Sequence, residues 1–150
     1  MGRELSRLYL ANLFGLSGHV ALLTGGNSGI GQSVALGLAQ AGAAIAALAC
    51  NEEKNQRVPG ELKALGGPAL ALRVNVTVRG RLQPAVEQVE QTLGPVSILV
   101  NNAEIGAFGG VLEQTPEDWD RVIETHLRFA FEGCGDLDGQ AAPRKNHQRR

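Results

Sequence analysis

The sequence predicts an α/β protein built on a parallel sheet, and three observations carry that prediction. Short apolar runs alternate strictly with segments of helical periodicity. The runs are apolar without interruption, as strands are when helices cover both faces of a sheet. Glycine is abundant and aromatic residues are scarce, 20 Gly against 4% Phe, Trp and Tyr. That balance suits helices and a sheet that approach closely through Gly, Ala and Val.

The elements follow in order. His19-Val-Ala-Leu-Leu-Thr24 is an apolar run ended by glycines and reads as a buried first strand. Ile30, Val34, Leu38 and Ala41 then recur at helical spacing, and Gly42 stands where a helix stops. Residues 43–49 form a second strand, alanine-rich but strand-like in length. Residues 51–65 carry Val58, Leu62 and Leu65 at helical spacing, with Pro59-Gly60 expected to break the helix. Residues 69–74 are the third strand. Leu82, Val86, Val89 and Leu93 mark a helix that Gly94-Pro95 ends, and residues 96–100 are the fourth strand. Thr115 as N-cap and Pro116 at the first helical position open a last helix. Its expected apolar face is Trp119, Val122, Ile123, Leu127 and Ala130. From Glu132 onward the periodicity stops. The chain is therefore read as a lead-in (1–17), a folded unit (18–131) and an irregular basic tail (132–150) that ends in Arg149 and Arg150.

Charge and composition exclude several classes of function. With 14 Lys+Arg against 15 Asp+Glu the net charge is −1, which excludes a chain that grips nucleic acid by overall positive charge. No apolar stretch approaches the ~20 residues of a membrane helix. Cys50 and Cys134 lie far apart and read as reduced thiols, and nothing marks secretion, so the expected compartment is the cytoplasm. His19, His126 and His147 lack metal-ligand spacing, so no metal is expected. The opening residues mix Arg3, Glu4 and Arg7 with leucines and do not read as a signal peptide.

The chemistry sits in the turn after the first strand. A strand that feeds a glycine-rich turn into a helix converges backbone N–H groups and the positive helix end on an anion. The spacing is Thr24-Gly25-x-x-x-Gly29-x-Gly31, which differs from the general G-x-G-x-x-G dinucleotide pattern. From Gly26 the chain also reads G-x-x-x-x-G-Gln32-Ser33, one residue from a P-loop. The lysine that reaches the outer phosphates of a P-loop is missing, so that alternative ranks below. A turn that only packs a helix on a sheet is the remaining alternative.

Residues 16–31, Leu-Ser-Gly-His-Val-Ala-Leu-Leu-Thr-Gly-Gly-Asn-Ser-Gly-Ile-Gly, closely resemble the opening of the short-chain dehydrogenase/reductase family. Asn75-Val-Thr77 stands where that family usually has Asp-Val-Thr, and Ile98-Leu-Val-Asn-Asn-Ala103 matches its fourth strand and Asn-Asn-Ala-Gly segment. The resemblance runs from about Leu16 to Phe131. It implies a three-layer Rossmann-type fold with strand order 3-2-1-4, an NAD or NADP cofactor, and hydride transfer between alcohols and carbonyls. Carried over by position, it implies that Gly25, Asn27, Ser28, Gly29, Ile30 and Gly31 line the phosphates and adenosine ribose. It puts Asn75 and Val76 beside the adenine, and Asn101 and Ala103 under the nicotinamide half.

The sequence also departs from the family pattern. Ala49 and Cys50 occupy the end of the second strand, where an Asp would bind the ribose hydroxyls of NAD or a nearby Arg the phosphate of NADP. The missing Asp removes a repulsion and leans the expectation toward NADP. Asn75 replaces Asp, and Glu104 replaces a glycine near an anionic cofactor, which is expected to weaken binding. His126 holds the place of the family's active-site Asn and is read as a core-edge histidine ahead of a catalytic one.

The family's catalytic Ser and Tyr-x-x-x-Lys are absent, since the single tyrosine is Tyr9, so no residue takes the catalytic acid role. The chain is read as truncated before the catalytic strand and helix: an oxidoreductase by resemblance, inactive alone. The alternative is a non-catalytic nucleotide-binding or interaction module. The implied partners are the dinucleotide, a small-molecule substrate only if the other half is supplied, and a second copy through the open edge of the fourth strand. Neither nucleic acid nor membrane is expected.

Overall fold

The computed structural model describes residues 9, 13–78, 80–106, 109, 110 and 112–138. Four parallel strands, β1 (Val20–Thr24), β2 (Ala44–Ala49), β3 (Ala69–Arg73) and β4 (Val96–Asn101), form one sheet in the order β3-β2-β1-β4, as the family resemblance implies. Helices α1 (Gly29–Gln40), α2 (Glu52–Lys63) and α3 (Leu82–Leu93) connect them. After β4 come α4 (Pro116–Ile123), a π-helical turn (Glu124–Arg128) and α5 (Phe129–Asp138).

The period of two along each strand divides the core into two layers. Val20, Leu22, Ala46 and Leu48 pack with Leu82, Val86, Val89 and Phe129 on one face. Ala21, Leu23, Ile45 and Ala47 pack with Ala35, Ala39, Val58 and Leu62 on the other. Every residue of β1 and β2 is buried, which accounts for their unbroken apolar runs. The small alanines of β2 let α1 and α2 lie close to the sheet. Val20 pairs with Val96 and Ala21 with Ile98, so the ladder skips Ser97. The Ser97 hydroxyl fills the gap, accepting from the Val20 N–H at 3.3 Å.

Four expectations are corrected. Pro59 does not break α2, which runs from Glu52 to Lys63. Val58 and Leu62 are 0% and 1% exposed on either side of the proline, and the Asn51 side chain caps the helix by accepting from the Lys54 N–H at 2.9 Å. Burial of that face and the cap offset the one N–H that proline cannot donate. Second, Ile30 is 74% exposed, and α1 buries Gly31, Ala35 and Ala39 instead. The helix settles by its smallest residues, not its most apolar ones.

Third, Trp119 and Leu127 are 64% and 63% exposed, while Thr125 and Phe129 are buried. For Leu127 and Phe129 the reason is the π-helical turn, which adds a residue to the helical path and rotates the face that a regular 3.6-residue period predicts; Trp119 precedes that turn. The opening of α4 is as expected, with Thr115 and Asp118 forming a reciprocal capping box and Pro116 in its first turn. Fourth, residues 132–138, read as irregular, belong to α5. A Cβ on Gly133 would sit 3.2 Å from Leu82 Cδ2, so its glycine lets α5 lie against α3. The rest of the expected tail and most of the lead-in lie outside the described residues.

Candidate functional site

The strand order reverses direction at β1, which lies between β2 and β4. Ligands of open α/β sheets bind outside the carboxyl ends of the strands at such a point. Here a cleft of about 450 Å³ opens there. It is lined by the turn after β1 (Gly25, Asn27, Ser28), the end of β2 (Leu48 to Asn51), the segment after β3 (Val74 to Thr77) and the segment after β4 (Asn102 to Ile105). A larger cavity, about 650 Å³, lies beyond Val74 and Asn75 beside α3, where Arg73, Arg81 and Gln88 line it and no residue of the glycine turn does.

The glycine turn is shaped by contact. A Cβ on Gly31 would lie 2.2 Å from the Gly25 carbonyl oxygen and 2.5 Å from Asn102 Nδ2. Gly25 has φ +67°, in the left-handed region, and Gly29 has φ +54°. The first turn of α1 therefore rests directly on the backbone of the turn. Ser28 is the N-cap but makes no side-chain capping bond, and no acidic residue stands in the first turn. The first N–H groups of the helix are not consumed by a carboxylate, which leaves a cradle suited to an anion.

A hydrogen-bonded latch joins the turn to β4. The buried Thr24 hydroxyl accepts from the N–H groups of Asn102 and Ala103, each at 3.0 Å. In return Asn102 Nδ2 donates to the carbonyls of Thr24 and Gly25 at 3.2 and 3.3 Å. The latch holds the floor of the cleft and the glycine turn as one unit.

The sequence-assigned residues separate into two groups. Gly25, Asn27, Ser28, Gly29, Ile30, Gly31, Asn75, Val76 and Ala103 all line the cleft. Asn101 and His126 instead line a neighbouring cavity of about 210 Å³, together with Thr24, Thr125 and Phe129. His126 is exposed, not at a core edge, because the π-helical turn buries Thr125 in its place. Its Nε2 lies 3.0 Å from the Ile105 carbonyl oxygen and 3.3 Å from the Ile105 nitrogen.

Asn75 Oδ1 accepts from the Thr77 N–H and hydroxyl at 3.0 and 2.8 Å. The oxygen is thus committed to the turn after β3, as either an amide or a carboxylate allows. The Cys50 thiol, exposed at the cleft, donates to the Val74 carbonyl at 3.3 Å. Among the described residues no cluster of His, Cys, Asp and Glu could hold a metal ion, and no helix is long and apolar enough to cross a membrane.

Sequence reasoning missed Thr24, Asn102 and Thr125. Thr24 reads as the last residue of a buried strand, and only the register that pairs it with Asn101 brings it under the next two residues. Thr125 reaches both cavities through the π-helical turn, which no hydrophobic period announces.

Glu104 is exposed and lines both cavities. A carboxylate there opposes an anion in the cleft. Glu104→Gly is expected to tighten the hold of the cleft on an anionic ligand by several-fold, on the order of 1 kcal/mol for one solvent-screened charge. Parallel titrations of the two chains with NADPH, repeated at high salt, check this. The gain should shrink as salt rises.

Comparison with known proteins places this geometry in context. The family model described as short chain dehydrogenase matches residues 19–137. A short chain dehydrogenase of Pseudocercospora fijiensis is 41% identical over 116 residues, covering 75% of this chain and 37% of that protein. A cyclohexanol dehydrogenase of Acinetobacter sp. is 41% identical over 113 residues, covering 75% of this chain and 45% of its own length. The crystal structure of L-sorbose reductase from Gluconobacter frateurii, complexed with NADPH and L-sorbose, superposes with a TM-score of 0.78 at 32% identity, over 84% of this chain and 48% of that one. The chain thus spans half or less of the length of these relatives.

Proposed function

Because the chain belongs to the short chain dehydrogenase family, we propose that its cleft binds NAD or NADP and that it serves as the dinucleotide-binding part of an oxidoreductase acting between alcohols and carbonyls. The observation that carries this reading is the contact of Gly31 with the Gly25 carbonyl, which leaves a backbone-lined cradle at the start of α1. A bound nicotinamide supplies hydride chemistry. The chain's own residues bind and orient: backbone N–H groups of the turn face the phosphates, Asn75 and Val76 flank the adenine, and Ala103 supports the nicotinamide half.

Proton transfer has no donor of the family type in this chain. The only tyrosine is Tyr9, and Leu13 stands four residues on. These 150 residues are therefore expected to bind the cofactor and to show no turnover with alcohols or ketones alone. Calorimetric titration with NADH and NADPH, with an absorbance assay of cofactor oxidation beside it, tests the reading. Saturable binding without turnover supports it; a folded chain that binds neither would overturn it and favour a module that has lost cofactor binding.

The ribose corner sets a limit on the preference for NADP. Ala49, Cys50 and Asn51 carry neither an acid to repel the extra phosphate nor a cation to hold it, and among the described residues no Lys or Arg lines the cleft. Glu52 and Glu53 occupy the first turn of the adjacent α2. The lean to NADPH over NADH is expected to stay below about tenfold, equivalent to 1.4 kcal/mol. A ratio above a hundredfold in the same titrations would show a charged determinant at work.

A further inference from the structure

Asn27 lines the cleft, yet its side-chain nitrogen is committed within the protein. It is 3% exposed, and its Nδ2 donates to the Asn51 carbonyl at 3.2 Å and to Asn55 Oδ1 at 2.9 Å. An amide nitrogen has two hydrogens, so both are spent inside the protein. Asn55, 5% exposed, in turn donates from Nδ2 to the Ala49 carbonyl at 3.0 Å. A relay of two buried amides thus runs from the glycine turn, through the first turns of α2, to the last residue of β2. It is a costly arrangement at a helix–sheet interface, where Val58 and Leu62 of the same helix are wholly apolar contacts.

We propose that Asn55 is a positioning residue that, through Asn27, holds the glycine turn and the Ala49–Asn51 corner in the geometry that receives the diphosphate and its ribose. The inference rests on the dinucleotide reading for its ligand, while the positioning itself is a property of the free chain. Asn55 does not line the cleft: Asn27, Ala49 and Asn51 do, and the Asn55 side chain bonds to the first two while its N–H donates to the Asn51 carbonyl. Its removal leaves Asn27 with an unsatisfied buried hydrogen and the Ala49 carbonyl with the Val74 N–H alone.

The test compares Asn55→Ala with Val58→Ala. Val58 is fully buried one turn further along α2, lines no part of the cleft, and its truncation reports the cost of loosening α2 alone. Two measurements are made on the 150-residue chain. Amide hydrogen exchange of residues 25–28 without ligand is expected to quicken at least tenfold in Asn55→Ala and to stay within about twofold of the parent in Val58→Ala, at temperatures equally far below each variant's Tm. Titration with ADP is expected to weaken at least tenfold in Asn55→Ala and less than about twofold in Val58→Ala. Asn27→Ala cuts the relay at its other end and replaces Asn55→Ala if that variant fails to fold.

Exchange in the turn that matches the Val58→Ala control overturns the positioning role. If the parent chain binds no ADP, the dinucleotide reading fails, and the exchange comparison still decides the role of Asn55. If exchange quickens while ADP affinity holds, the turn is anchored by Asn55 but its geometry does not govern binding, and the proposal is overturned in that part.

Discussion

Gly31→Ala is expected to abolish dinucleotide binding, lowering affinity by at least a hundredfold. The new Cβ would meet backbone, the Gly25 carbonyl oxygen at 2.2 Å, and cannot be relieved by rotating a side chain. Either α1 lifts from the turn or the turn moves, and in both cases the cradle opens. The cost to stability is about 1–3 kcal/mol, typical of overpacking. Gly37→Ala, in the same helix, is the control. Nothing lies within 4 Å of its Cβ and its φ is not positive. There the methyl group is expected to stabilise the chain by about 0.5–1 kcal/mol through helix propensity and leave binding unchanged. Thermal melts and NADPH titrations of the two variants read both effects. Equal binding by Gly31→Ala would show that the turn does not hold the ligand.

The second large effect is expected at Thr24. Thr24→Val keeps the shape of a side chain that is fully buried and deletes the hydroxyl that accepts from Asn102 and Ala103. Two backbone N–H groups lose their acceptor, and each unsatisfied group costs about 1–3 kcal/mol when buried. Because the site is only partly closed, about 3 kcal/mol in total is expected, a large share of a total stability of about 5–15 kcal/mol. For a chain of this length that lowers Tm by about 10 °C. Thr24→Ser retains the hydroxyl and is expected to recover most of the loss. Dinucleotide affinity should fall together with stability in Thr24→Val, since the latch fixes the cleft floor against the turn.

The parallel sheet was legible because β1 and β2 are buried on both faces and leave unbroken apolar runs, whereas the strand order came from the family resemblance. The glycine turn was legible because three glycines at fixed spacing follow a strand. What stayed hidden has physical causes. The face of α1 was misplaced because helical periodicity weighs Ile30 above Gly31, while packing against a backbone carbonyl requires the glycine. The last helix was misread because a π-helical turn shifts every residue after Glu124, exposing Leu127 and burying Phe129. Pro59 was given the weight of a helix breaker, and tertiary burial of Val58 and Leu62 outweighed it.

The residues that hold the site together were the least legible. Thr24 and Asn102 act through backbone N–H and carbonyl groups of other segments, and such partners exist only once strands β1 and β4 are in register. Asn27 shows the reverse case. The resemblance assigns it to the cofactor, and it lines the cleft, while its amide nitrogen is spent on Asn51 and Asn55.

The central claim is that the cleft at the switch point, built on the glycine turn, receives the dinucleotide. The most direct measurement is backbone amide chemical-shift mapping of the 150-residue chain titrated with NADPH. Saturable shifts are expected at Gly25–Gly31, Val74–Thr77 and Asn102–Ile105, with the cavity beside Arg81 and Gln88 unmoved. Saturable binding whose shifts centre on Arg73, Arg81 and Gln88, or a folded chain with no shift at the glycine turn, would contradict it.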